Sequence, residues 1–334
     1  MKFTRTKQIM FTNNKWWVWK TTSSFNIAKM FAKNWYKTVI IDLDPQCNIS
    51  RLALWEEFMS NNLFSNDNIY KVLEWIITWW SDINYDINFT ELDQNLSILQ
   101  WSTWLSEFEW VLSSAFNEAS AWKKRWYFIT SAIDRFLRKK WLYEEIDLFI
   151  IDTNPSLSQL NKAIFLWTDY FVMPNTPDVF NIQWIKNLWL FFEQEKRNWH
   201  LTSLVLSREN NISSSYILRW ESLFTWYIIN SYNVYSKKPI SSQQKWIDVL
   251  PDHIKEHLSM KQSKNGLVDI SWKNPIWEIQ DYGQLSTLSQ EKSKAIFEIT
   301  EQEAWLIWTI DNLKKSKEEF QVIYEELLNR LEKW

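Results

Sequence analysis

An apolar strand, a short loop and a helix follow one another near the N-terminus, and this order constrains the fold more than any other feature of the sequence. Residues 8–12 (Gln-Ile-Met-Phe-Thr) predict a short buried strand, and residues 23–33 are typical of a helix. The loop between them ends in Lys20-Thr21-Thr22. In a phosphate-binding loop of this layout, backbone amides and the positive end of the helix dipole face the phosphates. The sequence therefore predicts that this segment binds a phosphate group.

Glycine is almost absent from the chain, whereas tryptophan is abundant. The 334 residues include 2 glycines and 26 tryptophans, although glycine usually makes up about 7% of a protein, or roughly 23 residues at this length. The two residue types together account for about 8% of the chain, which is close to the usual share of glycine alone. We therefore predict that many tryptophans stand where the natural protein has glycine. A UGA codon has this effect, because some bacterial lineages read it as glycine and other translation tables read it as tryptophan.

The local contexts of five tryptophans agree with this interpretation. Trp35 and Trp141 lie at predicted helix ends, where a residue with positive φ is needed and glycine supplies it without steric cost. Trp16, Trp17 and Trp19 crowd the predicted phosphate-binding loop, which needs small residues. The alternative is a protein truly rich in tryptophan that stacks on sugars or single-stranded nucleic acid. Such a protein needs a few placed aromatic residues, not tryptophan at helix ends.

With glycine at positions 16, 17 and 19, residues 15–22 would read Lys-Gly-Gly-Val-Gly-Lys-Thr-Thr. This string resembles the deviant Walker A loop of the ParA/MinD family of ATPases, in which a second lysine, here Lys15, lies near the start of the loop. As written, the segment departs from the motif at all three glycines. In a loop of this kind Lys20 reaches the β- and γ-phosphates, and the Thr21 hydroxyl binds Mg²⁺. The predicted nucleotide-binding residues of the loop are Asn14, Lys15, Trp16, Trp17, Val18, Trp19, Lys20, Thr21 and Thr22.

Two aspartates follow the next apolar run. Residues 38–41 are mostly β-branched and apolar, which predicts a buried parallel strand. The segment after it, residues 42–46 (Asp-Leu-Asp-Pro-Gln), resembles the Asp-x-Asp-Pro-Gln switch of the same family, with Cys47 in the place of the family's glycine. The resemblance implies that Asp44 orients the attacking water and that Asp42 holds the metal. Two aspartates in a polar turn are the alternative interpretation.

A third apolar run also ends in an aspartate. Residues 148–151 precede Asp152, and the segment resembles the family's Ile-Asp-x-x-Pro-Ser, with Asp152 near Mg²⁺. Residues 169–178 resemble the next strand of the family, whose proline-containing end lies near the adenine. Pro174 and Asn175 are therefore candidate contacts of the base, although an ordinary core strand and turn fit these two residues equally well.

Strand and helix patterns alternate along the chain. This alternation predicts an α/β fold with a doubly wound, mostly parallel sheet and helices on both faces. We expect a helix-rich extension over residues 51–145 and a C-terminal helix over residues 309–334. No repeat or linker composition marks a border, so the sequence predicts a single ParA-type domain over residues 1–334. Further strands are predicted at residues 96–100, 200–206 and 227–232.

Composition disfavours several classes of protein. No run of 18 apolar residues occurs, so no transmembrane helix is expected. The absence of a signal-peptide pattern predicts a cytoplasmic location. Cys47 is the single cysteine, which excludes an internal disulfide and disfavours an iron–sulfur cluster. The C-terminal helix mixes lysine with many glutamates, so we expect no membrane anchor there.

Two weaker patterns remain open. His253 and His257 have the i, i+4 spacing of a zinc site, but no third ligand is evident in the sequence, and a solvated helix face is the favoured interpretation. The net charge is −3, so any contact with DNA must come from a local basic patch. The candidates for this patch, which are as a rule only solvated surface residues, are Arg219, Lys237, Lys238 and Lys245.

The family resemblance also implies a function. It predicts a protein that binds ATP and Mg²⁺, forms an ATP-dependent homodimer in which Lys15 reaches the partner's nucleotide, and hydrolyses ATP slowly. The dimer would bind DNA without sequence preference on the nucleoid, and a ParB-like partner would stimulate hydrolysis, which drives plasmid or chromosome partition. One alternative is a MinD-like ATPase that positions cargo or the division site. Another is a tryptophan-rich binding module without enzymatic activity.

Overall fold

The computed structural model of the chain describes the segments on both sides of the predicted phosphate-binding loop. The described residues are 3–13, 20–60, 67–78, 82–119, 124–208, 216, 218, 222–232, 234–235, 238–239, 241–259, 278–280, 282–305 and 309–332.

The described residues contain an eight-stranded sheet. Its strands are β1 (Lys7–Phe11), β2 (Thr38–Leu43), β3 (Thr90–Asp93), β4 (Leu96–Leu99), β5 (Leu148–Thr153), β6 (Tyr170–Asn175), β7 (Leu223–Tyr232) and β10 (Glu278–Gln280), while β8 (Val234–Tyr235) and β9 (Lys238–Pro239) form a separate pair. The order across the sheet is β10, β7, β6, β1, β5, β2, β4, β3. Neighbours are parallel except for the antiparallel pair β3 and β4 at one edge. The predicted α/β class with a mostly parallel sheet is confirmed.

Helices connect the strands and cover the sheet. They are α1 (Lys20–Lys33), α2 (Asn48–Ala53), α3 (Trp55–Met59), α4 (Ile69–Ile77), α5 (Leu105–Ala119), α6 (Lys124–Thr130), α7 (Ala132–Glu144), α8 (Gln159–Trp167), α9 (Val179–Arg208), α10 (Ser241–Ile254), α11 (Gln284–Glu291), α12 (Glu301–Trp305) and α13 (Ile310–Glu332). A π-helix (Lys255–Ser259) extends α10, and a 3₁₀ turn (Ile296–Glu298) precedes α12. The predicted C-terminal helix is confirmed by α13.

The central strands are apolar on both faces because each face is covered by helices. In β5, Leu148 and Ile150 belong to one hydrophobic core, and Phe149 and Ile151 belong to the other. Alternate side chains of a strand point to opposite faces. The first core contains residues of α1 and α13, and the second contains residues of α4, α5, α7, α8 and α9. This arrangement is the doubly wound layout predicted from the sequence.

The C-terminal segment packs directly on α1. Ile296 donates its backbone N–H to Asn26 Oδ1 at 2.7 Å. Lys29 Nζ lies 3.6 Å from Glu298 Oε2, and the rings of Phe31 and Tyr324 are 4.9 Å apart. The helix that follows the predicted phosphate-binding loop is thus held by residues that lie about 270 positions further along the chain.

Two predicted elements differ from the structure. Residues 200–206 are not a strand but the end of α9, where Leu201 and Leu204 are exposed. An apolar run of this length does not separate strand from helix, and here it continues a helix that begins at Val179. Within the predicted helix-rich extension, residues 90–93 form strand β3, which turns into β4 through Asn95 with a φ of 63°.

The two tryptophans predicted at helix ends also differ. Trp35 follows α1 with a φ of 68° and is 63% exposed, so the predicted left-handed backbone is confirmed there. Trp141 lies inside α7, and the left-handed residue after that helix is Glu145, with a φ of 52°. The prediction for Trp141 was wrong because helical residues continue for another turn after it. Trp35 therefore remains the better support for glycine at a tryptophan position.

Candidate phosphate-binding site

Three parallel strands bring the predicted site residues to one edge of the sheet. β1, β2 and β5 are neighbours and run in the same direction, so their carboxyl ends lie together. The polar residues named from the sequence lie in the segment after β1, at the end of β2 and in the turn after it, and at the end of β5. The loop residues Asn14, Lys15, Trp16, Trp17, Val18 and Trp19 lie outside the described residues. The structure resumes at Lys20, the first residue of α1.

Lys20 lies between two buried carboxylates. Its Nζ is 3.3 Å from Asp44 Oδ2 and 3.1 Å from Asp152 Oδ1. All three side chains are almost fully buried, so their charges interact with little screening by water. Two of the three residues assigned to catalysis from the sequence, Lys20 and Asp44, are thus in direct contact.

Asp152 also binds the start of α1 through hydroxyl groups. The Thr21 hydroxyl donates to Asp152 Oδ2 at 2.9 Å, and the Ser24 hydroxyl lies 3.5 Å from Oδ1. Burial raises the pKa of the Asp152 carboxyl, although the Lys20 ammonium opposes the shift. Thr21 is only half-buried. A hydroxyl and a carboxylate are hard oxygen donors of the kind that Mg²⁺ prefers, so this pair fits the metal role predicted for both residues.

Asp42 lies beside Asp152, its register partner across β2 and β5. Asp42 Oδ1 accepts the N–H of Asp44 at 3.1 Å. Its Oδ2 accepts the N–H of Ser50 at 3.1 Å and the Ser50 hydroxyl at 2.6 Å. Burial, with Asp152 as a second cause, raises the pKa of Asp42 to about 8. Ionisation of both carboxyl groups is unfavourable because two buried negative charges repel each other. A cation beside them would reduce this repulsion.

The turn after β2 holds Asp44 toward the site. Gln46 donates its N–H to Asp44 Oδ1 at 3.0 Å, which leaves Oδ2 to face Lys20. Cys47 donates its N–H to the Asp44 carbonyl at 2.8 Å and has a φ of 46°. A left-handed backbone is where glycine is favoured, and the sequence places Cys47 at the family's glycine. The local fold therefore agrees with the resemblance at this position.

The end of β6 carries the two candidate base contacts. The Asn13 amide donates to the Pro174 carbonyl, and this contact ties β6 to the segment after β1. Asn175 is fully buried, and its Nδ2 donates to the Met173 carbonyl at 2.8 Å. The contact of Pro174 and Asn175 with a base stays a prediction.

The family is decided by a match over the region just described. Residues 6–203, more than half of the chain, match the family model described as an AAA domain. The chain belongs to this family. Within it, the protein is a ParA/MinD-type P-loop ATPase.

Individual relatives agree with this assignment. The Chlamydia psittaci virulence plasmid ParA family protein is 25% identical over 67% of this chain and 79% of its own length. Two solved structures show the same fold. One, described as a plasmid partition protein of Borrelia burgdorferi bound to AMPPNP, has a TM-score of 0.56 at 19% identity and covers 98% of this chain and 100% of its own. The other, the Cyanothece McdA–ATP complex, has a TM-score of 0.61 at 14% identity and covers 97% and 96%.

Two residues that support the carboxylate cluster, Asn161 and Ser50, were not identified from the sequence. Asn161, buried in α8, donates through Nδ2 to the carbonyl and side-chain oxygens of Asn154, at 2.9 and 2.8 Å, and to the carbonyl of Ser156 at 2.5 Å. It thereby fixes the turn after Asp152. Ser50 binds Asp42 in the same supporting way. A buried polar residue in an apolar helix was the available signal for Asn161.

Other predicted features have less structural support. Arg219 and Lys237 lie outside the described residues, Lys238 lies in β9, and Lys245 is exposed on α10. The basic patch therefore stays a prediction. Among the described helices, none is long and apolar enough to cross a membrane.

Proposed function

We propose that this protein binds and hydrolyses ATP with Mg²⁺, dimerises in its ATP state and binds DNA without sequence preference to drive plasmid or chromosome partition. The observation that carries the proposal is the buried cluster of Lys20, Asp44 and Asp152, with Thr21 beside it, at the carboxyl ends of three parallel strands. Ligands of open α/β sheets bind at this edge. The match to the Chlamydia psittaci ParA family protein supports the partition part of the proposal.

The phosphates would be bound by Lys20 and the start of α1. The Lys20 Nζ lies beside the carboxylates of Asp44 and Asp152. The terminal phosphates of ATP carry more negative charge than a single carboxylate, so they would compete for the ammonium. The N-terminus of α1 adds a favourable dipole. We infer that Lys20 leaves Asp44 when a triphosphate binds, and that this exchange frees Asp44 for its own role.

The metal would be held by Thr21, Asp152 and Asp42. Mg²⁺, when bound, neutralises the charge that develops on the phosphates. The pKa values of Asp42 and Asp152 are raised because both carboxyl groups are buried. A cation bound between them would stabilise their ionised forms, which favours this assignment.

The attacking water would be oriented by Asp44. Its Oδ1 is fixed by the N–H of Gln46, so Oδ2 is the atom that would accept a hydrogen bond from water once Lys20 has moved. Lys15 of the partner subunit is proposed to stabilise the charge that develops in the transition state. The reaction would remain slow until a ParB-like protein completes the site.

The proposal requires glycine in the loop. We infer that the natural residues at positions 16, 17 and 19 are glycines, because backbone amides approach phosphates closely only where no large side chain intervenes. The left-handed backbone at Trp35 supports the same reading elsewhere in the chain.

Two forms of the chain test this function. One is expressed as printed, and the other has glycine at positions 16, 17 and 19. We expect ATP turnover and ATP-dependent, salt-sensitive binding to DNA only in the glycine form. Lys20→Ala should abolish both, whereas Lys33→Ala, an exposed lysine at the far end of α1, should leave both unchanged.

Three outcomes would contradict parts of the proposal. Equal turnover in the printed form would remove the need for glycine. ATP turnover with no DNA binding, together with ATP-dependent binding to liposomes, would favour the MinD-like positioning function. A glycine form that binds no nucleotide would remove the function altogether. Mass spectrometry of the N-terminal peptides of the native protein decides the residue identities independently.

A further inference from the structure

Two histidines and a glutamate lie together at the end of α10, away from the carboxyl edge of the sheet. His253 is in the last turn of α10, and Glu256 and His257 lie in the π-helix that extends it. The two imidazole rings are nearly parallel, with centroids 5.9 Å apart and an angle of 10° between their planes. One potential ligand atom from each of the three residues lies within 4.8 Å of the other two. The structure thus supplies the third ligand that the sequence pattern lacked.

One ring nitrogen at this position is buried and needs a partner. His253 Nδ1 is buried, and no described residue forms a hydrogen bond with it. His257 Nε2 lies 3.9 Å from Glu256 Oε2, so the second ring and the carboxylate are close neighbours. A buried nitrogen without a partner is unfavourable, and a metal ion satisfies it without requiring another protein group.

The donor set selects the class of ion. Two imidazoles and one carboxylate suit Zn²⁺ and related transition metals, whereas Mg²⁺ and Ca²⁺ prefer oxygen ligands. Three protein ligands leave a fourth position for water. Tetrahedral bonds of about 2.0–2.1 Å place ligand atoms about 3.3 Å apart, so the side chains must close by about 1.5 Å from the present limit of 4.8 Å. Rotation of side chains that are already neighbours on one helical face achieves this.

We propose that His253, Glu256 and His257 bind a Zn²⁺-class ion that joins the end of α10 to the π-helix. π-Helical turns are rare and occur frequently at functional sites. The site is chemically distinct from the oxygen-donor cluster of Asp42, Asp152 and Thr21. Its occupation does not depend on the proposed ATPase function.

Metal titration of the whole, tag-free chain tests the site. Zn²⁺ binding is measured by calorimetry in excess Mg²⁺, which occupies oxygen-donor sites, and Co²⁺ binding is followed by its visible absorption. We expect one Zn²⁺ per chain in the micromolar range or tighter. His253→Gln and His257→Gln should each weaken binding at least about tenfold, and Glu256→Gln by about tenfold. The matched control is His200→Gln, the remaining histidine of the chain, which is exposed on α9.

The outcomes separate the site from simpler interpretations. No binding at the highest usable Zn²⁺ concentration would overturn the proposal. Equal binding in the His253→Gln and His257→Gln variants would also overturn it, because the ion would then lie elsewhere. If one histidine variant fails to fold by circular dichroism, Glu256→Gln keeps both rings and still has to weaken binding and shift the Co²⁺ absorption bands.

Discussion

Aspartates are buried at both ends of the parallel strands, but their charges are balanced differently at the two ends. We call these ends the amino edge and the carboxyl edge of the sheet. At the amino edge, Arg5 Nη1 lies 2.8 Å from Asp169 Oδ1, and Arg138 pairs with Asp134. Each of these two carboxylates is paired with a guanidinium. Burial still raises the pKa of Asp169, and it raises that of Asp134 to about 6. The protein itself thus supplies the cationic partners of these two aspartates.

The carboxyl edge is not balanced in this way. Among the described residues there, Asp44 and Asp152 share the ammonium of Lys20, and Asp42 lies beside Asp152 and accepts hydrogen bonds from Ser50. Burial alone therefore does not identify a functional carboxylate in this fold. We infer that the excess of carboxyl groups over cationic side chains is the better indicator, because a cation bound there, as proposed above, would stabilise the ionised carboxylates.

The largest expected difference between the two edges is in the kcat of ATP hydrolysis after an aspartate is replaced by asparagine. In the glycine form, Asp152→Asn should lower the kcat of ATP hydrolysis by about 10²-fold or more, because the residue would contact the metal beside the reacting phosphates. Asp169→Asn, the matched change at the amino edge, should leave kcat unchanged. Steady-state phosphate release measures both. Similar losses in the two variants would mean that the edges do not differ in function.

The pH dependence of stability should also distinguish the edges. Asp42 has an ordinary pKa near 3.9 when unfolded and about 8 when folded, so the folded state binds the proton more tightly. The contribution of Asp42 to the free energy of unfolding is therefore complete below about pH 4 and is lost as the pH rises toward 8. Between pH 6 and pH 8 the free energy of unfolding should fall by about 2 kcal/mol.

Urea unfolding without divalent cations measures this slope. In Asp42→Asn the fall between pH 6 and pH 8 should disappear, because an amide does not titrate. For Asp134 the corresponding window should end near pH 6, so Asp134→Asn should leave the slope above pH 6 unchanged. A slope that survives in Asp42→Asn would assign it to another group.

A smaller effect is expected where α1 turns back toward the amino end of β2. Trp35→Gly should raise the free energy of unfolding by about 1 kcal/mol, because the φ of 68° is strained for any residue with a Cβ. Trp141→Gly should lower it by about 1 kcal/mol or more, since glycine inside a helix is unfavourable. Denaturant midpoints decide the signs. Stabilisation at Trp141 instead would show that helix propensity does not control that site.

The smallest effect concerns the exposed member of an ion pair at the amino edge. The side chain of Arg5 is 41% exposed, and exposed pairs contribute little. Arg5→Ala should cost less than about 1 kcal/mol of stability and leave ATP turnover unchanged. A larger loss in a denaturation curve would show that the balance of charge at this edge matters more to the fold than its exposure indicates.

The sequence predicted the central strands, and the position of the candidate site residues at the ends of those strands, because both depend on local patterns. A β-branched run followed by aspartate predicts a buried strand and its polar end, and β2 and β5 with Asp42 and Asp152 confirm it. Periodicity likewise predicted α13. The strand expected at residues 200–206 was wrong because an apolar run there belongs to a long helix whose start, Val179, lies far upstream.

The remaining features depend on distant contacts. Asn161 supports the turn after Asp152 only because α8 folds back on it. The antiparallel strand β3 exists because β4 is beside it. Such partners leave no periodic signal within one segment, and only the assembled fold reveals them.

The packing of the C-terminal segment on α1 has a consequence for folding during translation. Asn26 in α1 receives the N–H of Ile296, and Phe31 meets Tyr324. These contacts join residues that the ribosome makes far apart in time, and long-range contacts of this kind delay completion of a fold. A nascent chain stalled before residue 296 would lack this support for α1. We therefore expect nucleotide binding to begin only after the chain has been translated beyond residue 324.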